Sequence, residues 1–207
     1  HITGDLKNPV WKKANEFDLG DALEKQKPRF KSTVRTLYSD NFLYIGFYCE
    51  DDYVWGTHSD RDSAIYAEEC VEAFLNPSSS SHQYYEINVS PKNIIFDACI
   101  LNARSIKNEE DQFVGLAELD FKVETKTFVD GKLDSQGEAK AWTAEYAIPL
   151  KELIGAPNCP PKSGDKWRAN FYRIDYPKNG RQEHYAWNPV KVLSFHRPWE
   201  FGVLEFE

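Results

Sequence analysis

Short runs of β-branched, aromatic and aliphatic residues follow one another along this chain between clusters of turn formers, and no other feature constrains its fold as strongly. The runs occupy 34–37, 42–49, 70–75, 84–89, 94–101, 119–128, 141–148, 167–174, 185–187 and 202–206. Turns are legible at Ser39-Asp40-Asn41, Asn76-Pro77, Asp130-Gly131 and Lys178-Asn179-Gly180. About ten strands in succession predict an all-β antiparallel sandwich or barrel. Only 149–154 reads as helical, a single turn with Pro149 at its start. A length of 207 residues suits one sandwich. The expectation is therefore a single domain over 1–207, two antiparallel sheets in immunoglobulin-like layering, with 158–164 as a surface loop.

Hydrophobic residues at 41%, a third of them aromatic at 14% of the chain, are enough to fill such an interior. Thirty-three acids against 25 bases leave a net charge of −8, which repels phosphate backbones and anionic lipid; nucleic acid and membrane surfaces are poor partners. No run approaches the roughly 20 apolar residues of a membrane span, and no charged-then-apolar leader stands at the start, so the chain reads as soluble and already processed. Cys49, Cys70, Cys99 and Cys159 lack the C-x-x-C spacing of a zinc or redox site. Cys49 and Cys70 flank one loop, and both a cross-strand disulfide and free buried thiols are open to them.

Strand alternation assigns side chains to faces. In 70–75, Val71, Ala73 and Leu75 share the apolar face and Glu72 and Phe74 the other. In 84–89, Tyr85, Ile87 and Val89 face one way, opposite Tyr84, Glu86 and Asn88. If the two strands are neighbours, Glu72, Glu86 and Asn88 emerge together on a face that is not the core. Carboxylates, an amide and rings suit a sugar, because flat rings cover the C–H face of a pyranose while charged and amide groups fix its hydroxyls. Tyr66 and Trp187 are the candidate rings, each with packing as its alternative role. Arg173 is a candidate donor to the sugar, or a neutralising partner for one of the acids. Asn88-Val89-Ser90 matches a glycosylation sequon, which a strand position argues against.

Several segments together resemble the family 9 carbohydrate-binding modules. The likeness runs through Thr36-Leu37-Tyr38 with Leu43-Tyr44-Ile45, Arg61-Asp62 with Ile65-Tyr66, Cys70-Val71-Glu72-Ala73-Phe74 and Tyr85-Glu86-Ile87-Asn88. It continues in Trp142-Thr143-Ala144-Glu145 with Ile148-Pro149, Asn170-Phe171-Tyr172-Arg173, and Phe195-His196-Arg197-Pro198 closing on Phe201-Gly202. The resemblance implies a jelly-roll-like β-sandwich, appended to secreted enzymes that degrade plant polysaccharides such as xylan, which grips the end of a glycan chain between two aromatic rings. It places Tyr66 and Trp187 at the two ring positions, Glu72 at a ligand-binding glutamate and Asn88 at a strand amide. Two departures alter the expected preference: the first ring is tyrosine where the family has tryptophan, and Glu86 replaces a basic residue. The implied location is secreted, periplasmic or cell-surface. No cofactor is required; the family allows a structural calcium ion, although no D-x-[DN]-x-[DN]-G loop is present.

Three other readings follow from the same residues. Glu72 and Glu86, if facing each other about 5 Å apart on adjacent strands, match the spacing of a retaining glycosidase pair. Haem ligation by methionine is impossible because the chain contains none, which leaves bis-histidine ligation by two of His58, His82, His184 and His196. Exposed aromatics such as Trp55 and Trp199 suit a protein-interaction domain of a polysaccharide-degrading system. Non-catalytic binding of an oligosaccharide or polysaccharide is the favoured reading.

Overall fold

A computed structural model describes residues 1–101, 114–116, 120–178 and 180–207. Among these, the strands in chain order are β1 (Glu16–Asp18), β2 (Gly20–Asp21), β3 (Ser32–Tyr38), β4 (Phe42–Glu50), β5 (Cys70–Asn76), β6 (Gln83–Val89) and β7 (Ile95–Leu101). They continue with β8 (Val114–Leu116), β9 (Glu124–Gly131), β10 (Ala139–Pro149), β11 (Lys166–Asp175), β12 (Glu183–Ala186) and β13 (Gly202–Glu205). The smaller sheet runs β1-β3-β4-β10-β9. The larger runs β2-β12-β11-β5-β6-β7-β8, with β13 joined to β11 beyond the end of β12. Every pairing is antiparallel.

The expected runs coincide with these strands to within a few residues, except that the run expected from 119 becomes strand only at Glu124. Leu119 itself, like Asn179 of an expected turn, lies outside the described residues. The helical turn expected at 149–154 is the 3₁₀ turn Leu150–Glu152. Three further 3₁₀ turns, Pro9–Lys13, Ile65–Ala67 and Pro198–Glu200, were not foreseen, because each is too short to carry a period.

The core lies between the sheets. Val34, Ile45, Phe47, Trp142, Ala144, Tyr146 and Ile148 of the smaller sheet meet Val71, Ala73, Leu75, Tyr85, Ile87, Val89, Ala169 and Phe171 of the larger. Tyr146 donates from its hydroxyl to the Val71 carbonyl at 2.9 Å, pinning one layer to the other. Cys49 joins this core, whereas Cys70 lies on the far side of the larger sheet; both are free thiols, as are Cys99 and Cys159.

Both outer faces are partly covered, in different ways. On the smaller sheet, Glu145 accepts from the Thr3 and Gly4 backbone N–H groups at 2.6 and 2.8 Å and from the Trp11 indole at 2.6 Å, so its charge is met by donors. On the larger sheet, the segment 187–201 folds back over the strands. Asn170 fastens it: its side-chain oxygen accepts from the Asn188 N–H at 2.9 Å and its NH₂ donates to the Asn188 carbonyl at 2.8 Å. Val190 donates to the Ala22 carbonyl at 2.7 Å and Arg168 donates to the Phe201 carbonyl at 2.9 Å. A second apolar cluster of Phe74, Tyr84, Ala98, Ile100, Tyr172, Ala186, Val190 and Phe201 forms underneath.

Candidate functional site

Between this folded-back segment and the larger sheet opens a pocket of about 340 Å³. Its floor is built by strand alternation: Glu72 and Phe74 from β5, Glu86 from β6, Phe96, Ala98 and Ile100 from β7. Tyr66, in the 3₁₀ turn Ile65–Ala67, stands at one side with 45% of its surface exposed, its ring set edge-on to Phe96 at 5.2 Å. Across the pocket lie Leu193, Ser194, Phe195 and His196, with His184 from β12. Phe195 is locked in place by stacking on Tyr172, centroids 3.9 Å apart and planes 8° from parallel. His196 is held by the Tyr84 hydroxyl at its Nδ1, 2.7 Å away.

The polar floor is deeply buried, with Glu72 2% and Glu86 5% exposed. Glu72 faces Asn88 directly across β5 and β6, and Glu86 faces Phe74, so the two carboxyls are diagonal neighbours rather than a facing pair. Asn88 donates from its NH₂ to Glu86 Oε1 at 2.8 Å, while its own side-chain oxygen is buried without a partner. The Cys70 thiol approaches Glu72 Oε1 at 3.5 Å. Burial raises the Glu72 carboxyl well above the ordinary range, and the neighbouring Glu86 charge raises it further. Burial also pushes Glu86 up to about 7, against a smaller lowering by its bond from Asn88.

Of the expected site residues, the structure brings Tyr66, Glu72 and Glu86 together on the pocket and sets Asn88 immediately behind Glu86. It does not bring Arg173 or Trp187 there. Arg173 pairs with Val71 in register, not with Glu72, and so points between the sheets. It is fully buried, bonded to the Ser32 hydroxyl at 2.9 Å, the Glu50 carbonyl at 2.8 Å and Asp51 at 2.5 Å, with Glu69 at 3.7 Å and Asp175 at 3.5 Å. Its neutralising role is real, but for a different set of acids. Trp187 likewise continues the alternation of Tyr185, which faces the core, rather than that of Ala186, which faces outward. Its ring packs against Phe17 and Phe171 at 5.6 and 5.5 Å and lies over Gly202, where a Cβ would come within 2.7 Å of it. The expected clasp of Tyr66 and Trp187 is therefore not formed.

The ring from the folded-back segment that lines the pocket together with Tyr66 is Phe195. It sits in an aperiodic segment, so alternation could not assign it, and its only signal was its place in the Phe195-His196-Arg197-Pro198 stretch. Phe74 was already on the correct face by parity. Among the described residues, no group of three or more His, Cys, Asp and Glu side chains is arranged to hold a metal ion, and no helix is long and apolar enough to cross a membrane.

Comparison with known proteins places this geometry in context. The model of carbohydrate-binding family 9 matches residues 21–206. A protein of Arthroderma benhamiae named as an extracellular protein is 28% identical over 194 residues, covering 90% of this chain and 82% of that one. Among solved structures, a Bacteroides uniformis protein named for a proposed carbohydrate-binding role superposes with a TM-score of 0.70 at 17% identity, over 95% of this chain and 88% of that one. A family 9 carbohydrate-binding module of Caldicellulosiruptor kristjanssonii, solved with glucose, superposes with a TM-score of 0.66 at 14% identity, over 100% of this chain and 91% of that one. The same organism's family 9 module has also been solved with cellotriose.

Proposed function

The chain belongs to carbohydrate-binding family 9, and we propose that its pocket on the outer face of the larger sheet is a non-catalytic site for the terminal sugar of a plant-type oligosaccharide or polysaccharide. The observation that carries this reading is the pairing of two exposed or half-exposed rings, Tyr66 and Phe195, with a floor of Glu72, Glu86 and, behind them, Asn88. In this arrangement the rings cover the C–H faces of the sugar and the carboxyl groups accept from its hydroxyls. The segment 187–201 is already fastened to the sheet before any ligand arrives, so little ordering cost falls on binding. Stacking contributes about 1 kcal/mol per ring and each charged hydrogen bond roughly 1.5–3, offset by an association cost of at least about 4 kcal/mol. The balance corresponds to affinities from about millimolar to micromolar.

Binding rather than hydrolysis is supported by the family and by the floor itself. Glu72 and Glu86 share one buried environment that raises both, and neither faces the other across the strands; a glycosidase pair needs two carboxyls in contrasting environments on either side of the scissile bond. The extracellular name of the Arthroderma relative supports a secreted location for this chain as well. Calorimetric titration with glucose and cello- and xylo-oligosaccharides tests the reading: saturable binding to the wild type with about fivefold weaker binding to Phe195→Ala is expected, and binding that Phe195→Ala leaves unchanged contradicts it. Incubation with the same glycans is expected to release no reducing sugar.

A further inference from the structure

The pocket is unusual in what it lacks. Among the described residues its lining comprises two carboxyl side chains, aromatic and aliphatic groups, a serine and two histidines, with neither lysine nor arginine. The groups that shift the two acids are each other, Asn88 and Cys70, none of them cationic. His184 is held neutral near pH 7 by its burial, and His196 already engages the Tyr84 hydroxyl. The Asn88 NH₂ is committed to Glu86 and the Asn88 oxygen is unpartnered. The floor thus presents two carboxyl groups that no described lysine or arginine pairs with in the pocket, while Tyr66, Phe74, Phe96 and Phe195 surround it with rings.

A neutral hexose supplies hydroxyl donors to such a floor but no charge. An ammonium group supplies three N–H donors and a positive charge, and aromatic rings favour it further. From Glu72 and Glu86 at the base of an aromatic pocket that no lysine or arginine lines among the described residues, we infer that the preferred ligand is an amino sugar, a hexose with a free ammonium such as a glucosamine terminus, in preference to the neutral sugar of the same shape. The inference rests on the assignment of this pocket as the sugar site. Binding an ammonium draws the pair toward full ionisation and so releases a proton, which makes the preference depend on pH. It grows as pH rises from 5 toward 7, where Glu86 gives up its proton more easily. Burial lowers the His184 pKa, and burial raises those of Cys70 and Tyr172, so all three favour their neutral forms beside the floor; Tyr66, Tyr84 and His196 are the other titratable side chains around it.

The test is calorimetric titration of the wild type and of the Glu72→Gln/Glu86→Gln variant with glucose, glucosamine and N-acetylglucosamine at pH 7 and pH 5. At pH 7 the wild type is expected to bind glucosamine about tenfold or more tightly than glucose, and N-acetylglucosamine no more tightly than glucose. The variant is expected to bind glucose and glucosamine alike. If the double variant does not fold, the wild-type pH series decides alone: the preference must shrink at pH 5. Glucose bound as tightly as glucosamine by the wild type at pH 7 overturns the inference and leaves the sugar site standing. A preference that survives both substitutions also overturns it, and failure of all three sugars to bind overturns inference and site together.

Discussion

Two clusters of buried carboxyls lie on opposite sides of the larger sheet, and their contrast separates structure from function in this fold. Inside the sandwich, Asp51, Glu69 and Asp175 surround Arg173, which also bonds to Ser32 and the Glu50 carbonyl. On the outer face, Glu72 and Glu86 line a pocket and have only the Asn88 amide and the Cys70 thiol for company. Val71 and Glu72 are successive residues of β5, as Tyr172 and Arg173 are of β11, so one step along the chain carries a side chain from one cluster to the other. A charge supplied with its counter-charge and sealed from water serves the fold. Charges left open beneath aromatic rings are completed by something from outside.

The contrast breaks most visibly at Arg173. Arg173→Met strands three acids in the core and is expected to lower stability by about 3–5 kcal/mol, read as a large drop in the denaturant midpoint. Acidification should restore part of the loss, because the orphaned carboxyls can then take up protons. A mild effect would mean that these acids do not depend on the guanidinium.

Trp187→Ala sharpens the same division. Its ring fills space between Phe17, Phe171 and Gly202, so truncation is expected to cost about 3 kcal/mol of stability, and the folded variant should retain wild-type affinity for glucose. Loss of binding with intact stability would restore Trp187 to the site.

A third expected effect concerns pH. Glu86 titrates at about 7 in the folded protein against an ordinary 4.5, so the folded state holds this proton more tightly than the unfolded chain does. That contribution to stability is fully present below the unfolded value, declines as pH rises between the two, and is gone above about 7. Glu86→Gln should flatten this decline in pH-dependent denaturant melts, and an unchanged profile would place the acid elsewhere in solvent.

The extent to which the sequence disclosed this arrangement follows from where each residue sits. β5 and β6 were legible down to their faces, because Val71, Ala73 and Leu75 alternate cleanly with Glu72 and Phe74, as Tyr85, Ile87 and Val89 do with Glu86 and Asn88. In β11 and β12 both faces are buried, so polarity does not mark them: Phe171, Tyr172 and Arg173 read as one block, and only the register against β5 shows that the arginine points inward. Trp187 was misplaced for the same reason, since its parity with Tyr185 is visible only once β12 is aligned. Phe195 lies in a segment without period that is positioned by long-range bonds from Asn170 and Arg168, information that local pattern does not contain.

Backbone amide shifts during titration with glucose offer the most direct check. The account predicts that the perturbed residues gather around 72–74, 84–88, 96–100 and 193–196, while those around Asp51 and Trp187 stay still. A perturbed patch centred on Trp187 or on the outer face of the smaller sheet, with the floor of Glu72 and Glu86 unmoved, would contradict it.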